Sequence, residues 1–192
     1  ALTKGTSLRD ALDLVKKFRS SNKTTPLVFM GYMNTFESLG AEKFMSEATL
    51  AGVDGILIVD MPPEESSSFS EHAKKQDIDI IRLIAPTTSI ERAKKIASQS
   101  SGYIYYISVK GITGASNIDS KDVKAKVDIL RQHTDLPIAV GFGIKDANSA
   151  SSIKDIADGI VVGSIFVDLM GEGGDVIKKV SIKTKELSEV LQ

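Results

Sequence analysis

The chain is 192 residues long, with 24 basic and 25 acidic side chains, a formal net charge of −1 and 42% hydrophobic residues. A near-neutral balance without basic clusters leaves no electrostatic footprint for nucleic acid or an anionic membrane surface, and no apolar run approaches the ~18 residues of a membrane span. The lack of cysteine excludes a disulfide framework, a thiolate metal site and a cysteine nucleophile, and the two isolated histidines, His72 and His133, suggest no metal cluster. The first residues are polar and merge into an amphipathic helix, so no signal peptide is expected. These features predict one soluble, cytoplasmic domain over residues 1–192, with no metal.

Taken in order, residues 7–20 place Leu8, Ala11, Leu12, Val15 and Phe18 on one helical stripe, with Ser7 as N-cap and Asp10 at the positive helix end. An apolar run follows at 27–33, then a helix over 38–51 closed by Gly52. The β-branched run 55–60 reads as a strand ended by Pro62-Pro63, and 64–76 as a helix. Next come a strand at 80–85, a helix over 90–99 capped by Ser89, and a strand at 103–107 with a longer polar loop after it. Residues 120–133 read as helix, 136–142 as strand, 146–156 as helix, 159–163 as strand and 175–190 as a closing helix. Strand starts near 27, 55, 80, 103, 136 and 159 have the spacing of βα units. The strands are continuously apolar, not alternating, which predicts a parallel sheet buried on both faces.

Six such units fit either an open doubly wound sheet or part of a closed (β/α)8 barrel, which needs eight strands and ~250 residues. The chain opens on a helix with no strand ahead of it, so further chain ahead of Ala1 is expected. Three glycine-bearing loops carry the functional signal: Lys110-Gly111-Ile112-Thr113-Gly114-Ala115, Gly141-Phe142-Gly143, and Gly163-Ser164. Glycine lets backbone N–H groups approach an anion closely, and a helix N-terminus adds partial positive charge. In barrels the loops after the last two strands recurrently form a phosphate site, and if two strands are missing in front those loops are the ones holding Gly143 and Gly163-Ser164. Phosphate binding is favoured over tight turns alone.

The stretch Gly102–Ser108 followed by Gly111-Ile112-Thr113-Gly114-Ala115 resembles the sixth strand and mobile loop of the tryptophan synthase alpha subunit family. Val59-Asp60-Met61-Pro62-Pro63-Glu64-Glu65 is similar to that family's D-x-P-x-E-E pattern, and Met30-Gly31-Tyr32-Met33-Asn34 to its M-x-Y-x-N segment. Val140-Gly141-Phe142-Gly143-Ile144 resembles its G-F-G-I phosphate loop and Val162-Gly163-Ser164 its terminal G-S. Five motifs in the right order, collinear from about residue 1 to 170, make the likeness specific.

The resemblance implies a (β/α)8 TIM barrel, of which this chain covers about six strands from the second helix onward. It implies a lyase of tryptophan biosynthesis that cleaves indole-3-glycerol phosphate by a retro-aldol reaction to indole and glyceraldehyde 3-phosphate. No cofactor is implied in this chain; pyridoxal phosphate belongs to a partner beta subunit, within an alpha2-beta2 heterotetramer. Gly114, Gly143, Gly163 and Ser164 would hold the substrate phosphate, Tyr105 would lie beside the scissile centre, and Phe142 would line the pocket. Tyr32, Met30, Leu57, Val59 and Ile84 would wall the indole, and Thr113 would help close the site and orient a catalytic carboxylate, on a loop over 108–118 that is expected to be mobile without ligand. Asn34, Asp60 and Pro62 would lie on loops that meet the beta subunit.

One departure is large. Nothing in the chain matches the family's V-P-F-S-D-P-x-A-D-G-P segment, so its catalytic glutamate and aspartate are expected ahead of Ala1, with no catalytic residue in 1–192. The alternatives are a non-catalytic fragment that binds phosphate or the beta subunit, and another phosphate-binding barrel enzyme. Plainer readings cover the rest: Asp60 as loop structure, Glu64 and Glu65 as acids complementing a helix dipole, the histidines and lysine pairs as solvated, and Tyr103 and Tyr106 as packing under helices. Gly171-Glu172-Gly173-Gly174 reads as a joint, not a dinucleotide fingerprint.

Overall fold

The computed structural model describes residues 5–62, 64, 66–108 and 119–191. The expected α/β class is found, with strands that run parallel to their registered neighbours and alternate with helices. The described chain forms two compact units, one of residues 1–82 and 99–102, the other of 83–98 and 103–192.

In the first unit, α1 (Leu8–Arg19) begins with a capping box: the Asp10 N–H donates to Ser7 Oγ at 3.3 Å and the Ser7 N–H to Asp10 Oδ2 at 2.7 Å. Strand β1 (Val28–Gly31) leads into a short helix α2 (Met33–Glu37), and α3 (Ala41–Ala51) then crosses to β2 (Gly55–Ile58). Gly52 ends α3 in the left-handed region at φ 92°, where a side chain would be strained. Helix α4 (Ser67–Lys75) crosses to β3 (Asp79–Ile84). Parallel pairing places Met30 opposite Leu57 and Leu57 opposite Ile81, while Ile56, Ile58 and Ile80 turn to the helices. There they meet Leu12, Val15, Phe44, Met45, Ala48 and Phe69. Phe36, Phe44 and Phe69 form one aromatic group, with centroids 4.9 to 6.5 Å apart. Each fully buried ring contributes about 1.5–3 kcal/mol of hydrophobic stabilisation.

In the second unit, α5 (Ile90–Ser98) precedes β4 (Ile104–Ile107), and α6 (Ser120–Arg131) leads to β5 (Ile138–Gly141). The cap expected at Ser89 is present, accepting from the Arg92 N–H at 3.3 Å. Helix α7 (Ala147–Ser151) is followed by β6 (Gly159–Val161), α8 (Ser164–Gly171) and α9 (Val176–Glu189). β4 pairs with β5 and β5 with β6, in register Tyr105 with Ala139 and Gly141 with Val161. Ile104, Tyr106, Ile138 and Val140 face a cluster with Ala93, Ile96, Val123, Val127 and Leu130, so Tyr106 packs under helices as expected.

Four expectations need correction. α2 and α8 are helices that the sequence pattern left unassigned. The helix expected over 64–76 starts at Ser67, and the one expected over 146–156 ends at Ser151. At the latter end the Ser152 hydroxyl donates to the Ser149 carbonyl at 2.8 Å, a local bond that competes with continued helix.

One device recurs at the amino ends of the strands. Asp54, just before β2, accepts from the Leu27 N–H at 2.6 Å and pairs with Arg19 at the end of α1. Asp158, just before β6, accepts from the Ile138 N–H at 2.8 Å and pairs with Arg131 at the end of α6 at 3.1 Å. Each carboxylate ties a strand, its neighbour and the preceding helix together.

Candidate functional site

Of the expected site residues that the structure describes, most fall toward the carboxyl ends of strands, in both units. In the first, Met30 and Leu57 share a registered position and one sheet face. Leu57 is buried, whereas Met30, Tyr32 and Val59 present 54%, 58% and 38% of their surface. Tyr32 is the N-cap of α2 but gives no side-chain cap. Asp60 Oδ1 instead accepts the Met33 N–H at 2.7 Å, which supports its plainer reading as loop structure.

In the second unit, Tyr105 lies on the sheet face opposite Tyr106, with its ring over Gly141. A Cβ at Gly141 would collide with the Tyr105 hydroxyl, so only glycine fits. The Phe142 ring meets Tyr105 edge-on, 6.1 Å between centroids at 79°. Burial, and to a lesser degree Tyr103, push the Tyr105 phenol up to about 12, so it is a neutral hydrogen-bonding group and no base at neutral pH.

Phe142 adopts φ 70°, a conformation an L-residue holds only when its surroundings fix it. Ser108 supplies the fixing: its N–H donates to the Gly141 carbonyl at 2.9 Å, and its Oγ reaches the carbonyls of Gly141 and Phe142. Sequence reading gave Ser108 no role, because a serine after a strand carries no pattern of its own.

Gly143 and Gly163 each stand two residues beyond the registered pair Gly141 and Val161. Parallel neighbours lie about 4.8 Å apart, so the two glycine turns leave the sheet side by side at one level. Gly163 is the N-cap of α8 and offers no side-chain acceptor, and a Cβ there would meet open space. Ser164 is exposed at the first position of that helix. Uncapped N–H groups at a helix start, beside glycines that leave room, are the elements of an anion site.

Ile84 does not lie with these side chains. It packs in the cluster with Ala93, Ile96 and Tyr106, because strand alternation puts Arg82 and Ile84 on the helix side. Thr113 and Gly114, with the rest of the loop over 109–118, lie outside the described residues. Among the described residues no group of three acidic or histidine side chains could hold a metal ion, and no helix is long and apolar enough to cross a membrane.

The family model for the tryptophan synthase alpha chain matches residues 1–192. The chain is 47% identical to the tryptophan synthase alpha chain of Polynucleobacter asymbioticus, an alignment covering 100% of this chain and 73% of that one. It is 44% identical to that of Acinetobacter baumannii, again over its full length and 72% of the relative. Among solved structures, a tryptophan synthase complex from Pyrococcus furiosus superposes with a TM-score of 0.87 at 34% identity, over 98% of this chain and 76% of that one. The alpha chain from Legionella pneumophila gives 0.87 at 31% identity, over 100% of this chain and 72% of its own. The six strands are part of the same barrel fold, and the chain belongs to the tryptophan synthase alpha chain family.

Proposed function

We propose that the protein is the lyase of tryptophan synthase, cleaving indole-3-glycerol phosphate to indole and glyceraldehyde 3-phosphate, and that residues 1–192, one TIM-barrel domain lacking its amino-terminal quarter, supply its substrate contacts. The observation that carries the site is the pair of glycine turns at Gly143 and Gly163, level with each other beside the uncapped start of α8. A phosphate dianion there receives backbone N–H donors and the positive end of the helix dipole. Ser164 adds a hydroxyl, Gly114 is assigned to the same phosphate, and Thr113 to closing the site. Tyr32 with Met30, Leu57 and Val59, and Tyr105 with Phe142, are assigned to the indole and the scissile centre.

In the reaction, the bond between indole C3 and the glycerol chain breaks as C3 takes up a proton and the adjacent hydroxyl gives one up to become the aldehyde. Positioned acid–base groups are worth ~10²–10⁴-fold in such a step. Tyr105 stays neutral and so is no base, and Asp60 Oδ1 is used in holding the Met33 N–H; the family resemblance gives the acid–base roles to neither. We place the catalytic glutamate and aspartate ahead of Ala1. A Pyrococcus furiosus structure similar to this chain is described as an a2b2 complex. The same partnership is assigned here, with pyridoxal phosphate held by the beta subunit, Asn34, Asp60 and Pro62 on the loops that meet it, and the assembly in the cytoplasm.

Titration with glycerol 3-phosphate tests the phosphate assignment. Saturable binding is expected, with loss of at least roughly 100-fold in Gly163→Asp, since a carboxylate set against a phosphate costs several kcal/mol. Unchanged affinity in that variant would remove the basis of the assignment.

A further inference from the structure

Arg82 sits in the middle of β3 and is only 4% exposed. Its guanidinium carries a full charge into the interior, where the desolvation cost demands compensation. Among the described residues it has no carboxylate partner. Nη2 donates to Ser66 Oγ at 2.7 Å and Ser70 Oγ at 3.2 Å, Nε donates to the Gln99 carbonyl at 3.1 Å, and Nη1 is buried without a partner. Burial also lowers its pKa from the ordinary arginine value, the sign of a cation short of negative charge.

The three groups that receive Arg82 are themselves the wall of an open cavity of about 290 Å³, completed by Ser67, Glu71 and Lys74. That is several times the ~30 Å³ share of one water molecule. A serine whose oxygen accepts from a guanidinium keeps its own O–H to donate, so Arg82 polarises the Ser70 hydroxyl as a donor. Ser66 makes no cap bond to the first turn of α4, because its oxygen is turned to Arg82. Lys74 adds a second cation at the rim. Among the described residues lining the cavity, Glu71 is the one carboxylate and faces Lys74, with the Arg82 charge behind the wall.

We propose that this cavity on the α4 side of β3 binds a single phosphate group, with Ser70 and Lys74 as direct contacts and Arg82 as the buried charge behind them. It is separate from the glycine turns at Gly143 and Gly163, which lie in the other unit.

Residue-resolved amide shifts of the labelled protein, titrated with inorganic phosphate and separately with glycerol 3-phosphate at constant ionic strength, test it. Saturable shifts over residues 66–74 are expected, retained in Gly163→Asp and weakened roughly tenfold in Ser70→Ala and in Lys74→Gln. Glu71→Gln should tighten binding. Equal response to both titrants assigns the site to the phosphate group alone and a preference for glycerol 3-phosphate assigns it to monoesters; either upholds it. Shifts confined to Gly143 and Gly163, or shifts at 66–74 that chloride reproduces or that Ser70→Ala and Lys74→Gln leave unchanged while both variants melt as the parent does, would overturn it.

Discussion

At the amino ends of the strands, Asp54 and Asp158 stand in separate units yet make the same bonds, each to a neighbouring strand's N–H and to an arginine at the end of a helix. At the carboxyl ends the bonding is of the opposite kind. Gly143 and Gly163 carry no side chain, α8 has no side-chain cap among the described residues, and Phe142 is held at φ 70° by its Ser108 neighbour. The aspartates close polar groups within the fold, whereas the glycine turns after β5 and β6 place no side chain over theirs. In a barrel fold that division separates stability from chemistry, since the active site is built from the loops at the carboxyl face. Substitutions at the two ends should therefore read out differently.

The largest effect is expected where the two demands meet, at Gly141. Gly141→Ala drives a methyl into the Tyr105 hydroxyl and should cost about 1–3 kcal/mol of stability together with loss of glycerol 3-phosphate affinity, measured by chemical denaturation and titration. Asp54→Ala and Asp158→Ala should each cost about 1–2 kcal/mol, reduced from the value of a buried charged bond because both carboxylates are partly exposed. Phosphate affinity should survive both. If either aspartate variant lost binding while keeping its fold, the division between the two ends would fail.

A smaller effect concerns alkaline pH. Tyr105 and Tyr106 are both pushed up to about 12 by burial, above the ordinary tyrosine value of 10.0. The unfolded chain then releases these protons first as pH rises, so their contribution is complete below pH 10 and is lost through about 12. Stability should decline over that window, and Tyr105→Phe should flatten the decline. A pH-independent midpoint there would contradict the burial argument.

Much of this architecture is legible in the residues, and the exceptions have physical causes. α1 announces itself through a five-residue apolar stripe and a capping box, whereas in α8 the continuous run Ile165, Phe166 and Val167 shows no helical period, which left the segment after the strand unassigned. α2 is only five residues long, too short for any period. In β3 the run is apolar on both faces, which hides the parity, so nothing in it corrected the place the resemblance implied for Ile84; Ile80, Arg82 and Ile84 share the helix side. The glycine turns were readable because glycine at a strand end is a local signal. Ser108 was not, because its meaning comes from the carbonyls of a strand more than thirty residues away.

Under the proposed function, the binding groups lie within residues 1–192 and the acid–base residues ahead of Ala1, and turnover measures that division directly. A polypeptide of residues 1–192 given indole-3-glycerol phosphate should bind it, as glycerol 3-phosphate competition would register, and release no indole above the uncatalysed rate. Release of indole by that polypeptide would contradict the account, since the proton donor and acceptor would then have to be among the residues described here.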